Sequence, residues 1–235
     1  VNSKLLEIFG YTNETPDPPG GHIQRYAGTS EPNGVLEELA CMGVRDMIPS
    51  RDIEERIDII EKAAELYRSR GYTTVQDGAI FNQESYEVLK ATADQGRLKI
   101  DVVGYPLYPA VPELMKHYDR TGRYENNFRI GGAKLLLDGG LPGYTAYLRE
   151  PYYKPLPGMA NDYRAYPFYE DQGLISGWVA EFFENDWPHL IHALGDAAID
   201  QFLEAVEKAH QSYPAKERRS VLIHAIVMPE DQLDR

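Results

Sequence analysis

An α/β fold of parallel strands joined by crossover helices is the architecture this chain predicts. Two observations carry it. Short apolar, β-rich runs alternate with amphipathic segments of helical period along most of the 235 residues. Polar side chains then close or interrupt one apolar run after another. Functional groups of parallel α/β folds sit at the C-terminal ends of strands, so the second observation bears on chemistry as well as fold. A β/α barrel and an open doubly wound sheet both satisfy the alternation. No Gly-x-Gly-x-x-Gly follows the first strand, so a dinucleotide-binding fold has no support.

Residues 1–48 form a Gly/Pro-rich segment centred on Thr15-Pro16-Asp17-Pro18-Pro19-Gly20-Gly21. Consecutive prolines fix φ and paired glycines permit tight turns, which predicts a structured loop or lid, with short helices near 4–9 and 34–41. Ser50 is placed to cap a helix that carries Ile53, Ile57, Ile60, Ala64 and Tyr67 on one face and stops at Gly71. A strand at 72–76 follows, closed by Asp77-Gly78, then a helix at 83–95. Residues 97–105 read as a buried strand, 109–118 as a helix and 130–137 as one further strand ending in Asp138-Gly139-Gly140.

From Leu141 to Pro167 runs an irregular stretch with six Tyr and five Pro. Loops of that length inside a domain are functional or disordered, and the aromatic content argues against disorder. A helix at 172–185, a strand at 188–193, a helix capped by Asp196, a strand at 220–225 and a new helix with Pro229 in its first turn complete the series.

The formal net charge of −13 argues against nucleic-acid and anionic-membrane partners, which select basic surfaces. No apolar run approaches the roughly 20 residues of a membrane span. The chain opens on Val1-Asn2-Ser3, without initiator Met or signal-peptide pattern, and is expected to be the central piece of a longer protein. Cys41 is the single cysteine, so neither an intrachain disulfide nor a cysteine zinc cluster can form; the thiol reads as a small packing residue and the chain as cytoplasmic.

The predicted strand ends present Gln76-Asp77, then Lys134 with Asp138, then His192, then His224. An ammonium inside a buried strand is costly unless paired or neutralised, for example as a carbamate formed with CO2. Pairing of Lys134 with Asp138, or escape to solvent, is the plainer alternative. His189 and His192 are three apart, so on a strand they face opposite sides, and His192, which ends its strand, is the better ligand. His224 closes Val221-Leu222-Ile223-His224 in the same way. A lone buried His is most often a hydrogen-bonded core residue, but two closing consecutive strands weigh against that.

These residues resemble amidohydrolase family 3, the YtcJ-like group of the metal-dependent hydrolase superfamily. The resemblance runs in order through Asn2–Leu6, Thr15–Gly21, Gly34–Ala40, Gly71–Gly78, Lys134–Gly140, Gly143–Leu148, His192–Asp200, Ile223–Ala225 and Asp231–Arg235. Each motif is weak alone; the ordered series is specific. The family implies a TIM-like barrel, here partial over residues 49–235, that hydrolyses amide-type C–N bonds other than peptide bonds with one or two divalent ions, zinc by preference. By motif, Lys134 would be a metal-bridging carbamate, His192 and His224 metal ligands, and Glu38, Asp77 and Asp138 groups that support the ligands or face the substrate.

The sequence also departs from the family. The His-x-His pair of the first barrel strand and the catalytic Asp of the last are absent, so the expected catalytic residue lies outside this chain. Gly139-Gly140 stands where Gly-Ser is common, and Ile223 where an acidic residue often precedes the His. The resulting expectation is an incomplete amidohydrolase acting on a small-molecule amide, prone to homo-oligomerise. The competing expectation is a barrel module that only binds a ligand or serves structure.

Overall fold

Three sheets hold the eight strands of the computed structural model, which describes residues 1–154, 159–214 and 217–235 apart from the side chain of Asp46. Residues 155–158 of the Tyr-rich stretch lie outside the described residues.

Helix α1 (Ser3–Ile8) is capped by Asn2, whose side chain accepts from the Leu5 amide. The next expectation fails: 34–41 is not a helix. Strands β1 (Gly21–Arg25) and β2 (Pro32–Glu38) pair antiparallel, with His22 opposite Glu37 and Ile23 opposite Leu36. Pro32, Gly34 and Leu36 alternate with Asn33, Val35 and Glu37 in a period of two, which fits a strand, and α2 (Leu39–Met47) begins only after it. Cys41, on α2, is exposed rather than packed. Helix α3 (Ile53–Ser69) starts on Asp52, whose carboxylate accepts from the Glu55 amide at 2.8 Å; the expected cap, Ser50, bonds Glu84 instead.

From there the chain alternates as expected. Strand β3 (Thr74–Ile80) starts later than predicted and runs past Asp77. It is followed by α4 (Gln83–Asp94) and β4 (Asp101–Pro106), and then a 3-10 helix at Pro112–His117 where an α-helix over 109–118 was expected. The single strand expected over 130–137 is two, β5 (Phe128–Ile130) and β6 (Ala133–Leu136), broken at Gly131-Gly132. A Cβ on Gly132 would sit 2.0 Å from the Pro188 carbonyl oxygen, so only glycine lets the chain pass there. Helix α5 (Gln172–Glu184), β7 (His189–Ala193), α6 (Asp196–Ser212), β8 (Val221–His224) and α7 (Glu230–Leu233) complete the fold. Gly195 rather than Asp196 is the cap of α6, and Pro229 caps α7 from outside its first turn.

Strands β3, β4 and β5 form one parallel sheet and β6, β7 and β8 another, each in chain order. A parallel bridge joins Leu107, just past β4, to Lys134 on β6, and the Tyr108 amide donates to the Lys134 carbonyl at 2.9 Å. The chain is therefore a mixed α/β fold built on parallel sheets. The core lies between these strands and the helices behind them. Ile175, Val179, Phe182 and Phe183 from α5, with Ile199, Phe202 and Ala205 from α6, pack against Ile191 and Ala193 of β7.

Candidate functional site

Alternation along β7 sorts its two histidines. His189 faces the helices, 1% exposed, with Nδ1 against the Trp187 carbonyl and Nε2 against the Ser220 hydroxyl. It is a satisfied core residue. His192 points to the opposite face, where Lys134 and Leu136 of β6 flank it through the registers Lys134–Leu190 and Leu136–His192. On the other side Ala193 pairs with His224 at the end of β8. The two rings, His192 and His224, meet edge to face with centroids 4.7 Å apart.

Burial sets the electrostatics of this group. Lys134 is 4% exposed, and burial lowers its pKa to about 8. Neither alternative expected for it holds: it is not paired with Asp138, and it does not reach solvent. Burial also lowers His192 to about 4, with Lys134 and His224 adding to the shift and the Gly139 carbonyl opposing it. His224 shifts in the same direction, by burial first and by Lys134 second. Both imidazoles are thus neutral near pH 7, the form that binds cations. Nε2 of His192 lies 3.1 Å from the Gly139 carbonyl, so the N–H belongs there and the lone pair on Nδ1. His224 and Ala225 have φ of 78° and 47°. Strained non-glycine backbone of this kind costs about 1–3 kcal/mol and clusters at functional sites.

Asp138 does different work from either histidine. It is 1% exposed, and its carboxylate accepts from the backbone amides of Leu194 (2.9 Å), Gly195 (2.8 Å) and Tyr147 (3.0 Å). One side chain thereby ties the end of β6 to the β7–α6 turn and to the Tyr-rich stretch. Burial still raises its pKa to about 6 against those three donors, with Glu38 pushing the same way. Its Oδ1 is 3.7 Å from His192 Nε2, but a neutral imidazole makes no ion pair.

Glu38 reaches this end of the sheet from the last residue of β2, with φ 48° and ψ −119°. It accepts from the Thr145 hydroxyl, beside Gly139. A Cβ on Gly139 would lie 2.2 Å from both the Glu38 carboxylate and the Thr145 oxygen, so that glycine is what lets Glu38 approach. Gly140 is different: a Cβ there would meet only Pro142, at 3.7 Å, leaving room for the family's serine.

The structure thus brings together Lys134, His192 and His224, with Asp138 and Glu38 beside them, and leaves Asp77 out. Asp77 faces a separate cavity near α2, where burial raises its pKa. Sequence reasoning missed Thr145 and the Gly139 carbonyl. Thr145 falls in a recognised motif, but its partner Glu38 lies 107 residues away and nothing local signals the contact. Among the described residues no group of three or more His, Cys, Asp or Glu side chains is placed to hold a metal ion.

A family model described as the amidohydrolase family matches residues 1–235. The chain is 26% identical to the Bacillus subtilis protein named amidohydrolase YtcJ, over all of this chain and 43% of that protein. It is also 26% identical to the Arabidopsis thaliana protein LONG AFTER FAR-RED 3, over 96% of this chain and 39% of the relative. The chain therefore spans about two fifths of the length of the curated relatives it matches. Among solved structures, an uncharacterized metal-dependent hydrolase from Pyrococcus horikoshii superposes with a TM-score of 0.69 at 23% identity, covering 99% of this chain and 43% of that one. A second, from Pyrococcus furiosus, gives 0.62 at 24%, covering 89% and 41%. At these identities the two structures speak for the fold.

Proposed function

The chain belongs to the amidohydrolase family, and from that premise we propose that it forms part of a divalent-metal centre in a longer protein. That protein hydrolyses an amide-type C–N bond, other than a peptide bond, in a small-molecule substrate. The observation that carries the reading is the convergence of His192 and His224, rings 4.7 Å apart on neighbouring strands, with the buried amine of Lys134 on the next strand.

The donor chemistry fits part of such a centre. Two imidazoles are held neutral, and His192 keeps its Nδ1 lone pair free by donating from Nε2 to Gly139. A pKa of about 8 leaves part of Lys134 as free amine near neutral pH, and the free amine is the form that adds CO2 to give a carbamate and a proton. Zinc, in one or two ions, suits these ligands. When bound, such an ion polarises the scissile carbonyl and lowers the pKa of water. Asp138 keeps the turn behind His192 fixed through its three amide contacts, and Glu38 presents a carboxylate to the substrate side from the 1–48 segment, which we read as a lid.

The same premise supports reading the two parallel sheets as an arc of a TIM-like barrel, occupying residues 49–235. The Leu107–Lys134 bridge supports it, because it makes β4 and β6 neighbours and lets one curved series run from β3 to β8. Among the described residues no helix is long and apolar enough to cross a membrane. A cytoplasmic, self-associating protein is part of the same proposal.

Metal stoichiometry tests the reading without needing a substrate. The longer protein should retain one or two divalent ions through dialysis, and His192→Ala or His224→Ala should each weaken retention by more than the roughly 10–100-fold typical of a supporting residue. The 235-residue chain alone should show an unmodified Lys134 by mass spectrometry and weak or no zinc binding. Full metal content in both mutants would overturn the ligand assignment.

A further inference from the structure

A cavity of about 1110 Å³ opens between α2, α3, the first turn of α4 and the loop after β4. Lys134, His192 and His224 take no part in it. The volume is slightly above the roughly 300–1,000 Å³ usual for small-molecule sites, so it leaves ample room for one. Its walls are largely apolar, with Ile59, Leu107 and Tyr169 among them, and its polar lining is dominated by charged side chains.

Their charges do not cancel. Arg45, Arg51 and Arg56 line the cavity against Asp77 and Glu84, in a chain whose net charge is −13. Arg56 is neutralised by Glu84, and Arg51 stands 3.9 Å from Glu55 on the solvent side. Arg45 is different. Its guanidinium lies over the Phe81 ring, 4.6 Å from the centroid, and no carboxylate is within ion-pair distance among the described residues. Asp77 turns its carboxylate to the Ala79 amide at 3.4 Å; burial pushes its pKa up while the Arg45 charge pulls it the other way, and the two form no ion pair among the described residues. Arg45 is exposed, and a planar guanidinium stacked on an aromatic ring is an arrangement suited to a bidentate carboxylate.

We propose that this cavity binds a small amphipathic carboxylate, with the carboxylate on Arg45 and an aryl or alkyl tail along Ile59, Leu107 and Tyr169. The site is separate from the proposed metal centre and does not depend on it. An anion of this shape places its charge against the Arg45 guanidinium and removes apolar wall from water at once.

Isothermal titration of the 235-residue chain with 4-phenylbutyrate, and with 4-phenyl-1-butanol as its uncharged counterpart, tests the proposal. The acid should bind about tenfold tighter than the alcohol or more, the preference that one charge-assisted hydrogen bond supplies. Arg45→Gln should abolish that preference while leaving the alcohol's affinity in place. Ala110→Trp, which fills the cavity from an exposed lining position, should weaken both ligands by about tenfold or more. Equal affinity of acid and alcohol for the unaltered chain, no saturation by either at millimolar concentration, or variants that bind like the unaltered chain would each overturn the proposal. Thermal melts of both variants show whether a loss of binding comes from the cavity or from unfolding.

Discussion

Strand β7 has His189, Leu190, Ile191 and Ala193 buried, with His192 alone partly open. Its neighbour β8 is apolar in three of four residues, yet Val221 is 42% exposed, Leu222 and Ile223 are half-buried and His224 is exposed. Strands β4 and β3 repeat the contrast, one almost fully buried and the other exposed at Thr74 and Gln76. The inner strands have hydrogen-bonded neighbours on both sides and the outer strands on one. Outer strands β3 and β8 are the open ones, whereas β5 and β6 are covered; the Leu107–Lys134 bridge puts β6 beside the end of β4. The candidate site straddles the divide, with His192 on a covered strand and His224 on an open one. That difference matches their chemistry: burial takes His192 down to about 4, while the more exposed His224 is held in a strained backbone instead.

The sharpest test of the contrast is a cavity on the covered side. Phe182 is fully buried behind β7, with its ring centroid 4.9 Å from Tyr108 and 5.5 Å from His189. Phe182→Ala should cost about 3–5 kcal/mol in urea unfolding. A loss below about 1 kcal/mol would mean that the covered side is as loosely held as the open one.

Asp138→Ala should come next. It strands three backbone amides, each worth about 1–3 kcal/mol when buried without a partner, but it also removes a carboxylate that burial disfavours. A net loss of about 2–3 kcal/mol is expected, with Asp138→Asn losing less because its carbonyl oxygen still accepts. Equal losses for the two variants would show that the amides, rather than the carboxylate, find other partners.

The alternation of strands and helices was legible because burial imposes its period on the covered elements; β7, α4, α5 and α6 fall close to where the pattern predicts. The failures share a cause. Strands β1 and β2 contain Gly21, Pro32 and Gly34, which read locally as turn residues, and only their pairing makes them strands. The split of β5 from β6 depends on the Pro188 carbonyl, 56 residues beyond Gly132. At the site, strand-end position singled out His192 and His224 and the cost of a buried ammonium singled out Lys134 as candidates, whereas nothing local signals that Asp77 lines the cavity beside α2. Glu38 entered through family resemblance alone; the contact that brings it to Gly139 and Thr145 is tertiary.

A smaller effect is expected at acid pH, where the open end is secured by charge. Asp200 on α6 accepts both Arg149, from the Tyr-rich stretch, and Arg235, beyond α7, and its pKa is lowered chiefly by the Arg149 hydrogen bonds. A depressed pKa stabilises the fold above the ordinary value of 3.8, and that contribution fades as pH falls through the lower folded value. Asp200→Asn should therefore remove part of the acid-induced destabilisation below about pH 4 and cost about 1 kcal/mol or less at pH 7, since the network is partly exposed. Melting curves of both proteins from pH 2 to 7 read the difference; parallel curves would show that Asp200 does not contribute to the pH dependence.

Val221→Lys should have the smallest effect on folding and the clearest one on association. Val221 begins β8 and, among the described residues, pairs with Leu190 on one side only. With 42% of its surface already exposed, replacing it removes little buried apolar area, so unfolding free energy should change by no more than about 0.5 kcal/mol. The free edge is another matter. An unpaired strand with apolar side chains invites pairing with a second chain, and a lysine on it is the usual deterrent. Ile226, 60% exposed just beyond β8, extends the same apolar margin. Light scattering should therefore show self-association of the unaltered chain falling in Val221→Lys while the melt stays in place. A large loss of stability would mean that β8 is covered after all, and a monodisperse monomer before the substitution would remove the edge as a cause of association.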